Sequence, residues 1–154
     1  MGETTIKQIK QRLSNYLYLK RENEDQFERI ARMKNEEQFP AMKESDGSQH
    51  QPGASDRMAN AIIRRMSYEE KILPRIKANL DEMEAVEGII NSIPDPQERR
   101  VLRLRYIDGE FSRHTRWEDI ALTMFGDNDE KHLKAVYRLH GRALQSFRKE
   151  EAEQ

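Results

Sequence analysis

The chain has 154 residues, of which 36% are hydrophobic and 36% are charged, and its formal net charge is −1. A mean hydropathy of −1.00 is too polar for one large globular core and favours long amphipathic helices that each bury a single stripe. The absence of cysteine excludes a disulfide framework and a cysteine-ligated zinc site. No run of about 18 apolar residues and no N-terminal apolar signal core are present, so we expect a cytoplasmic protein.

Residues 4–38 are predicted to form one helix, because their interior lacks Pro and Gly and the apolar residues follow a 3,4 heptad spacing. These apolar residues are Ile6, Ile9, Leu13, Tyr16, Phe27 and Ile30. Lys20 and Asn23 stand in the same seam where two further apolar side chains are expected. Two explanations stay open: polar residues that fix register or oligomeric state, or a local widening that lets the lysine reach water.

Residues 40–56 contain two Pro and two Gly and are predicted to be a mobile loop. A second helix is predicted from near Arg57 to about Asn91, with Ser55 or Asp56 as its N-cap. Its apolar stripe consists of Met58, Ile62, Met66, Leu73, Ile76, Leu80, Met83 and Ile90. Pro74 lies inside this helix and predicts a bend or break there, because proline lacks the backbone donor and clashes with the preceding turn.

Two such helices joined by a loop predict an antiparallel, coiled-coil-like hairpin over residues 1–93. A single hairpin buries only its facing seam, so the outer apolar residues are predicted to contact a second copy and form a homodimer. These residues are Leu17, Leu19, Ile63 and Val86. Pro94 and Pro96 separate the hairpin from a C-terminal domain, residues 94–149, which an acidic tail, residues 150–154, follows.

The C-terminal domain is predicted to contain three helices in a helix-turn-helix arrangement. The first spans about Gln97 to Ile107 and ends at Asp108-Gly109. The second begins near Thr115, which forms a capping box with Glu118. Gly126 supplies the turn, and an Asp127/Asn128/Asp129 cap opens the third helix. The predicted fold is therefore all-α throughout.

Charge separates along the chain. Residues 97–149 hold 12 Lys and Arg against 8 Asp and Glu, whereas residues 1–96 hold 15 Lys and Arg against 17 Asp and Glu.

On the third helix, Lys131, Lys134 and Arg138 lie at i, i+3 and i+7, and therefore on one face. The residues predicted to contact double-stranded DNA are Lys131, Lys134, Tyr137, Arg138, Arg142, Arg113 and Arg116. The alternative explanation is that these charged residues form only the solvent-exposed face of an amphipathic helix. The excess of four positive charges predicts weak DNA affinity for a single copy.

The strings RVLRLRYIDGE, WEDIA and VYRLHGRAL resemble region four of sigma-70-type sigma factors. With Asp56 to Ala59 (DRMA) and Val136 to Leu144, the whole chain resembles an uncharacterised family of phage and prophage proteins from Gram-positive bacteria. That family is similar to the ArpU and RinA type regulators of late phage operons. The resemblance implies a sequence-specific transcriptional regulator on the nucleoid of a bacterial host, with RNA polymerase as a further partner. Phe111 to His114, and extra residues between Gly126 and Val136, depart from the region-four pattern.

Two other functions fit the same pattern: a DNA-packaging protein of the small-terminase type, and a helical module that binds RNA polymerase or another regulator. No glycine-rich phosphate loop or nucleophile motif occurs, so we expect no enzymatic activity, no catalytic residues and no cofactor. Of the histidines, His132 and His140 stand eight residues apart on one predicted helix. The sequence offers no further candidate ligands beside these two histidines, so we expect no metal site.

Overall fold

A computed structural model describes residues 2–38 and 54–153, with the side chains of residues 5–38 and 56–148. Every regular element in these ranges is helical, which confirms the all-α prediction. The helices are α1 (Gly2–Gln38), α2 (Ala54–Asn91), α3 (Pro96–Leu102), α4 (Trp117–Phe125) and α5 (Glu130–Glu153). A π-helical turn, Arg103–Ile107, directly continues α3. None of the helices in the described ranges combines the length and apolar character needed to cross a membrane.

Helices α1 and α2 follow their predicted course, with two corrections. Helix α2 runs through Pro74 without interruption, so the predicted possibility of a break is wrong. A helix of 38 residues keeps its hydrogen bonds on both sides of one missing donor. It also begins at Ala54, which places Ser55 and Asp56 inside the first turn and not at the N-cap. The predicted mobile loop falls mostly on residues 39–53, outside the described residues.

The chain divides into two compact units. The first unit contains Met1–Arg21 and Leu80–Gln154, and the second contains Glu22–Asn79. This division differs from the predicted boundary at residue 94, because the start of α1 and the end of α2 share a core with the C-terminal helices. The predicted role of residues 1–93 in oligomerisation stays a prediction.

The core of the first unit joins residues from all five helices and the π-helical turn. Leu17 and Val86, which we predicted to face outward, are 2% and 0% exposed, so that prediction is wrong for both. They pack beside Leu13 and Ile90 against the C-terminal helices. The members contributed by the C-terminal helices and the π-helical turn are Val101, Leu102, Tyr106, Ile107, Ile120, Ala121, Val136, Ala143, Leu144 and Phe147.

In the second unit, α1 and α2 run antiparallel, as predicted. Asn23 is buried and donates from Nδ2 to the carbonyl of Ile76 at 3.3 Å. Its Oδ1 accepts from Nδ2 of Asn79 at 3.0 Å. Further along, Arg65 of α2 pairs with Glu37 near the end of α1. Asn23 is therefore a polar residue of the seam, and both ends of its side-chain amide form hydrogen bonds to α2.

Several apolar side chains of this hairpin sequence are more exposed than the heptad spacing predicts. Phe27, placed in the seam of α1, is 50% exposed, and Leu19 is half-buried. On α2, Ile76 and Ile90 are buried, but part of the predicted stripe is open to solvent. The exposed members are Met58, Met66, Leu73 and Leu80, and Ile63 beside them is 63% exposed.

The connection between the π-helical turn and α4 depends on a tightly packed glycine. A Cβ on Gly109 would lie 2.2 Å from the carbonyl oxygen of Arg113 and 2.7 Å from Cδ1 of Leu17. The helical segment ends at Asp108, directly before Gly109, as predicted, and the close approach is a further reason for glycine at this position. Phe111 and Ser112 follow it with left-handed backbone at φ 55° and 63°, an uncommon conformation for residues with side chains.

Candidate nucleic-acid interface

Helices α3 and α4 both pack on α5. Asp95 caps α3, since its Oδ1 accepts from the backbone N–H groups of Gln97 at 2.8 Å and Glu98 at 3.4 Å. The predicted capping box at the start of α4 is wrong. Arg116 is the N-cap residue and makes no side-chain cap hydrogen bond. The carbonyl of Thr115 instead accepts from Arg105 at 2.6 Å, a contact from outside the helix.

The turn between α4 and α5 matches the prediction. Gly126 adopts left-handed backbone at φ 86°, and its N–H donates to the carbonyl of Leu122 at 3.0 Å, which ends α4. Asp129 precedes α5 and accepts from the backbone N–H of His132 at 2.9 Å, as an N-cap residue does. This turn fixes how α5 follows α4.

Helix α5 has one buried face and one cationic face. Val136, Ala143, Leu144 and Phe147 are buried in the core. Spacings of three, four and four residues place four exposed cations on one face of the same helix, opposite the buried stripe. We call Lys131, Lys134, Arg138 and Arg142 the cationic face. The structure thus brings together four of the seven residues predicted to contact DNA.

The ion pair on the cationic face is exposed. Nζ of Lys134 lies 3.1 Å from Oε1 of Glu130, and the two side chains are 68% and 83% exposed. Water and salt screen such a pair, so it holds the lysine only loosely. Arg116 lies 3.2 Å from Asp119, whose hydrogen bond and charge raise the pKa of the guanidinium. Arg113 is exposed in the loop before α4.

Tyr137 lies beside the cationic face and not on it. Its side chain is 49% exposed, and its ring centroid is 5.2 Å from that of Trp117. Because Trp117 is the first residue of α4 and directly follows Arg116, this contact brings the start of α4 next to the middle of α5. Arg116 therefore lies in the segment that leads into this contact, one residue before Trp117.

A polar and aromatic cluster behind Tyr137 was missed by the sequence reasoning. The guanidinium carbon of Arg105 lies 4.3 Å from the ring centroid of Trp117, a cation–π contact. The ring of His140 packs edge-on against Trp117 at 4.8 Å. Tyr106 hydroxyl and His140 Nε2 are 2.8 Å apart. Arg105 lies in the π-helical turn that continues α3, and this turn changes the direction of the side chain relative to a regular α-helix. Local periodicity in the sequence does not predict such a turn.

Asp127, Asp129 and His132 form a compact group at the start of α5. Their potential ligand atoms lie within 4.8 Å of one another, and no other such group occurs among the described residues. Nδ1 of His132 is 2.7 Å from Oδ1 of Asp129 and also contacts Asp127. Both carboxylates accept backbone hydrogen bonds, and the ring of His132 stacks on Phe125. Helix capping accounts for this geometry.

Comparisons with protein-family models, curated proteins and solved structures find no match for this chain. The resemblance to sigma region four and to the phage family therefore stays a prediction from the quoted strings.

Proposed function

We propose that this protein is a sequence-specific transcriptional regulator that binds double-stranded DNA with the cationic face of α5 in the major groove. The observation that carries the proposal is the shared face of Lys131, Lys134, Arg138 and Arg142, which points away from the core. An α-helix fits the major groove, where Lys and Arg reach phosphates and guanine edges. The resemblance to region four and to phage regulators supports the same reading.

The arrangement of α3, α4 and α5 adds a second support. Helix α4 has nine residues, ends at a left-handed glycine and is followed by a longer helix whose outer side is basic. In helix-turn-helix proteins the second of two such helices enters the groove, while the first crosses the backbone. Arg116, directly before α4, is then suited to a phosphate, since this helix crosses the backbone and arginine is a common phosphate ligand.

The proposal predicts a defined salt dependence. If each of the four cations of this face neutralises one phosphate, log K should fall against log salt with a slope of about −3 to −4. Removing two of the cations in Lys134→Ala/Arg138→Ala should reduce that slope by about 2 and abolish a gel shift at moderate salt. The probe is a fluorescein-labelled random-sequence duplex, which measures the charge contribution.

Arg64→Ala/Arg75→Ala is the matched control, because it removes the same charge from two exposed arginines of α2. It should leave the slope unchanged. If both double variants weakened DNA binding equally, the effect would come from net charge alone. That result would overturn the assignment of DNA binding to the cationic face of α5. Repeated selection from a random duplex library should enrich one sequence with the wild-type chain. Failure to enrich any sequence would refute sequence-specific recognition.

A further inference from the structure

The exposed apolar residues of α2 in the second unit follow a regular pattern. Ile63, Met66 and Leu73 are 63%, 58% and 47% exposed. With Glu70 and Lys77, also exposed, they are spaced alternately three and four residues apart. Alternating three and four is the spacing of a coiled-coil seam. We call these five residues the α2 outer seam. It is distinct from the face of α2 that carries Asn79 and Ile76 toward α1.

A shallow groove lies on this seam. It has a volume of about 520 Å³, and its lining residues are Ile63, Met66, Ser67, Glu69, Glu70 and Leu73. Apolar side chains at coiled-coil spacing, beside a groove of this kind, form a surface that a second helix can fill with its own side chains.

We propose that the α2 outer seam is the interface at which two copies of this chain pair antiparallel about a two-fold axis. The argument is charge complementarity. In a parallel, in-register pair, each Glu70 would face the Glu70 of the second copy, and each Lys77 would face the other Lys77. An antiparallel pair instead brings glutamate of one copy to lysine of the other, twice, as two-fold symmetry requires.

The register follows from the packing of antiparallel seams. When Glu70 of one copy is level with Leu73 of the other, Met66 is level with Lys77 and can pack on the methylene stem of the lysine. Glu70 and the opposing Lys77 are then one helical turn apart, about 6 Å, which their long side chains can span. The two Leu73 side chains flank the axis and enter the grooves.

The contact between copies is small, so the pairing is weak and depends on concentration. The seam from Ile63 to Lys77 is about 21 Å long, and three of its five residues are apolar. The α2 outer seam includes no residue of the cationic face of α5. The pairing proposal can therefore be tested independently of DNA binding.

The test is the mass of the full chain by sedimentation equilibrium from micromolar to high micromolar concentration. The wild type should reach two copies and no more, because a two-fold pair is closed. Leu73→Gln should weaken the pairing about tenfold, whereas Tyr18→Gln, which removes an exposed aromatic ring from α1, should not. Circular dichroism checks that each variant keeps its helix content.

Charge reversal tests the register. Glu70→Lys or Lys77→Glu alone should weaken the pairing about tenfold, since each brings two like-charge pairs together. The double variant E70K/K77E should recover it to within about threefold, because the opposite charges meet again. Glu70 has no charged residue three or four positions away, so its reversal leaves the ionic contacts along α2 unchanged. A monomeric wild type, a larger assembly, or a double variant that fails to recover would each overturn the proposal.

Discussion

The half-buried imidazole of His140 should make folding stability depend on pH. Burial lowers the pKa of His140 from its usual 6.5 to about 4, and the positive charges of Lys10 on α1 and Arg105 add to the effect. The uncharged hydroxyl of Tyr106 lies 2.8 Å from Nε2 of His140, and the ring of Trp117 packs at a steep angle to the imidazole. In the folded chain the ring therefore stays neutral throughout the range in which a free histidine takes up a proton.

The sign and size follow from proton linkage. Between pH 6.5 and about 4 the unfolded chain binds a proton at this residue and the folded chain does not, so the free energy of unfolding falls as pH falls. Above pH 6.5 both states are neutral and the residue contributes no pH dependence. The full difference in pKa between the unfolded and folded chain corresponds to about 3 kcal/mol in the free energy of unfolding. Partial access of the ring to water reduces this contribution to about 2 kcal/mol.

Urea denaturation of the wild type and of His140→Asn at pH 7 and pH 5 measures this contribution. The variant cannot titrate at this position, so the stability advantage of the wild type should shrink by about 1 to 2 kcal/mol between the two pH values. An NMR titration of the imidazole in the folded chain gives the pKa directly. A midpoint near 6.5 would refute the reasoning, because it would show that the folded chain admits the charge.

Substitutions at four further positions test the packing, a buried amide and a helix cap. Gly109→Ala should destabilise the chain by at least about 2 kcal/mol, because its Cβ meets backbone, whereas Gly88→Ala, with open space around it, should stabilise α2 by about 0.5 to 1 kcal/mol. Asn23→Ala should cost about 1 to 2 kcal/mol in urea denaturation, since two hydrogen bonds across the hairpin are lost; no change would mean that water replaces them. Asp95→Ala should cost about 1 kcal/mol and Asp95→Asn much less, because asparagine also caps; equal losses would argue against the cap.

The parts of the fold that were predictable from the sequence depend on local signals. Heptad spacing located α1 and α2 to within a few residues at their ends. Gly126 and Asp129 were identified at the α4–α5 turn because a left-handed glycine and a capping carboxylate act on their own neighbours. The cationic face of α5 was likewise predictable, since helical periodicity alone decides which side chains share a face.

Several of the errors concern contacts between segments that are separated in sequence. Leu17 and Val86 were assigned to an outer surface because a hairpin alone leaves them there, and the C-terminal helices cover them in the first unit. Thr115 carries a capping signal, but its carbonyl is engaged by Arg105, and the helix starts later. Neither contact has a signature within a window of neighbouring residues. The same applies to the placement of Arg105 on Trp117.

The carboxylate of Asp129 has a consequence for how α5 could meet a phosphate. The first turn of a helix normally attracts anions through its free amide donors. Here the chain supplies its own anions, since Asp129 accepts from the backbone of His132 while Asp127 and Glu130 add negative charge nearby. A DNA strand would therefore be repelled from the tip of α5. In the proposed complex the helix would lie along the groove with Arg138 near the centre of contact, and not enter it end-on.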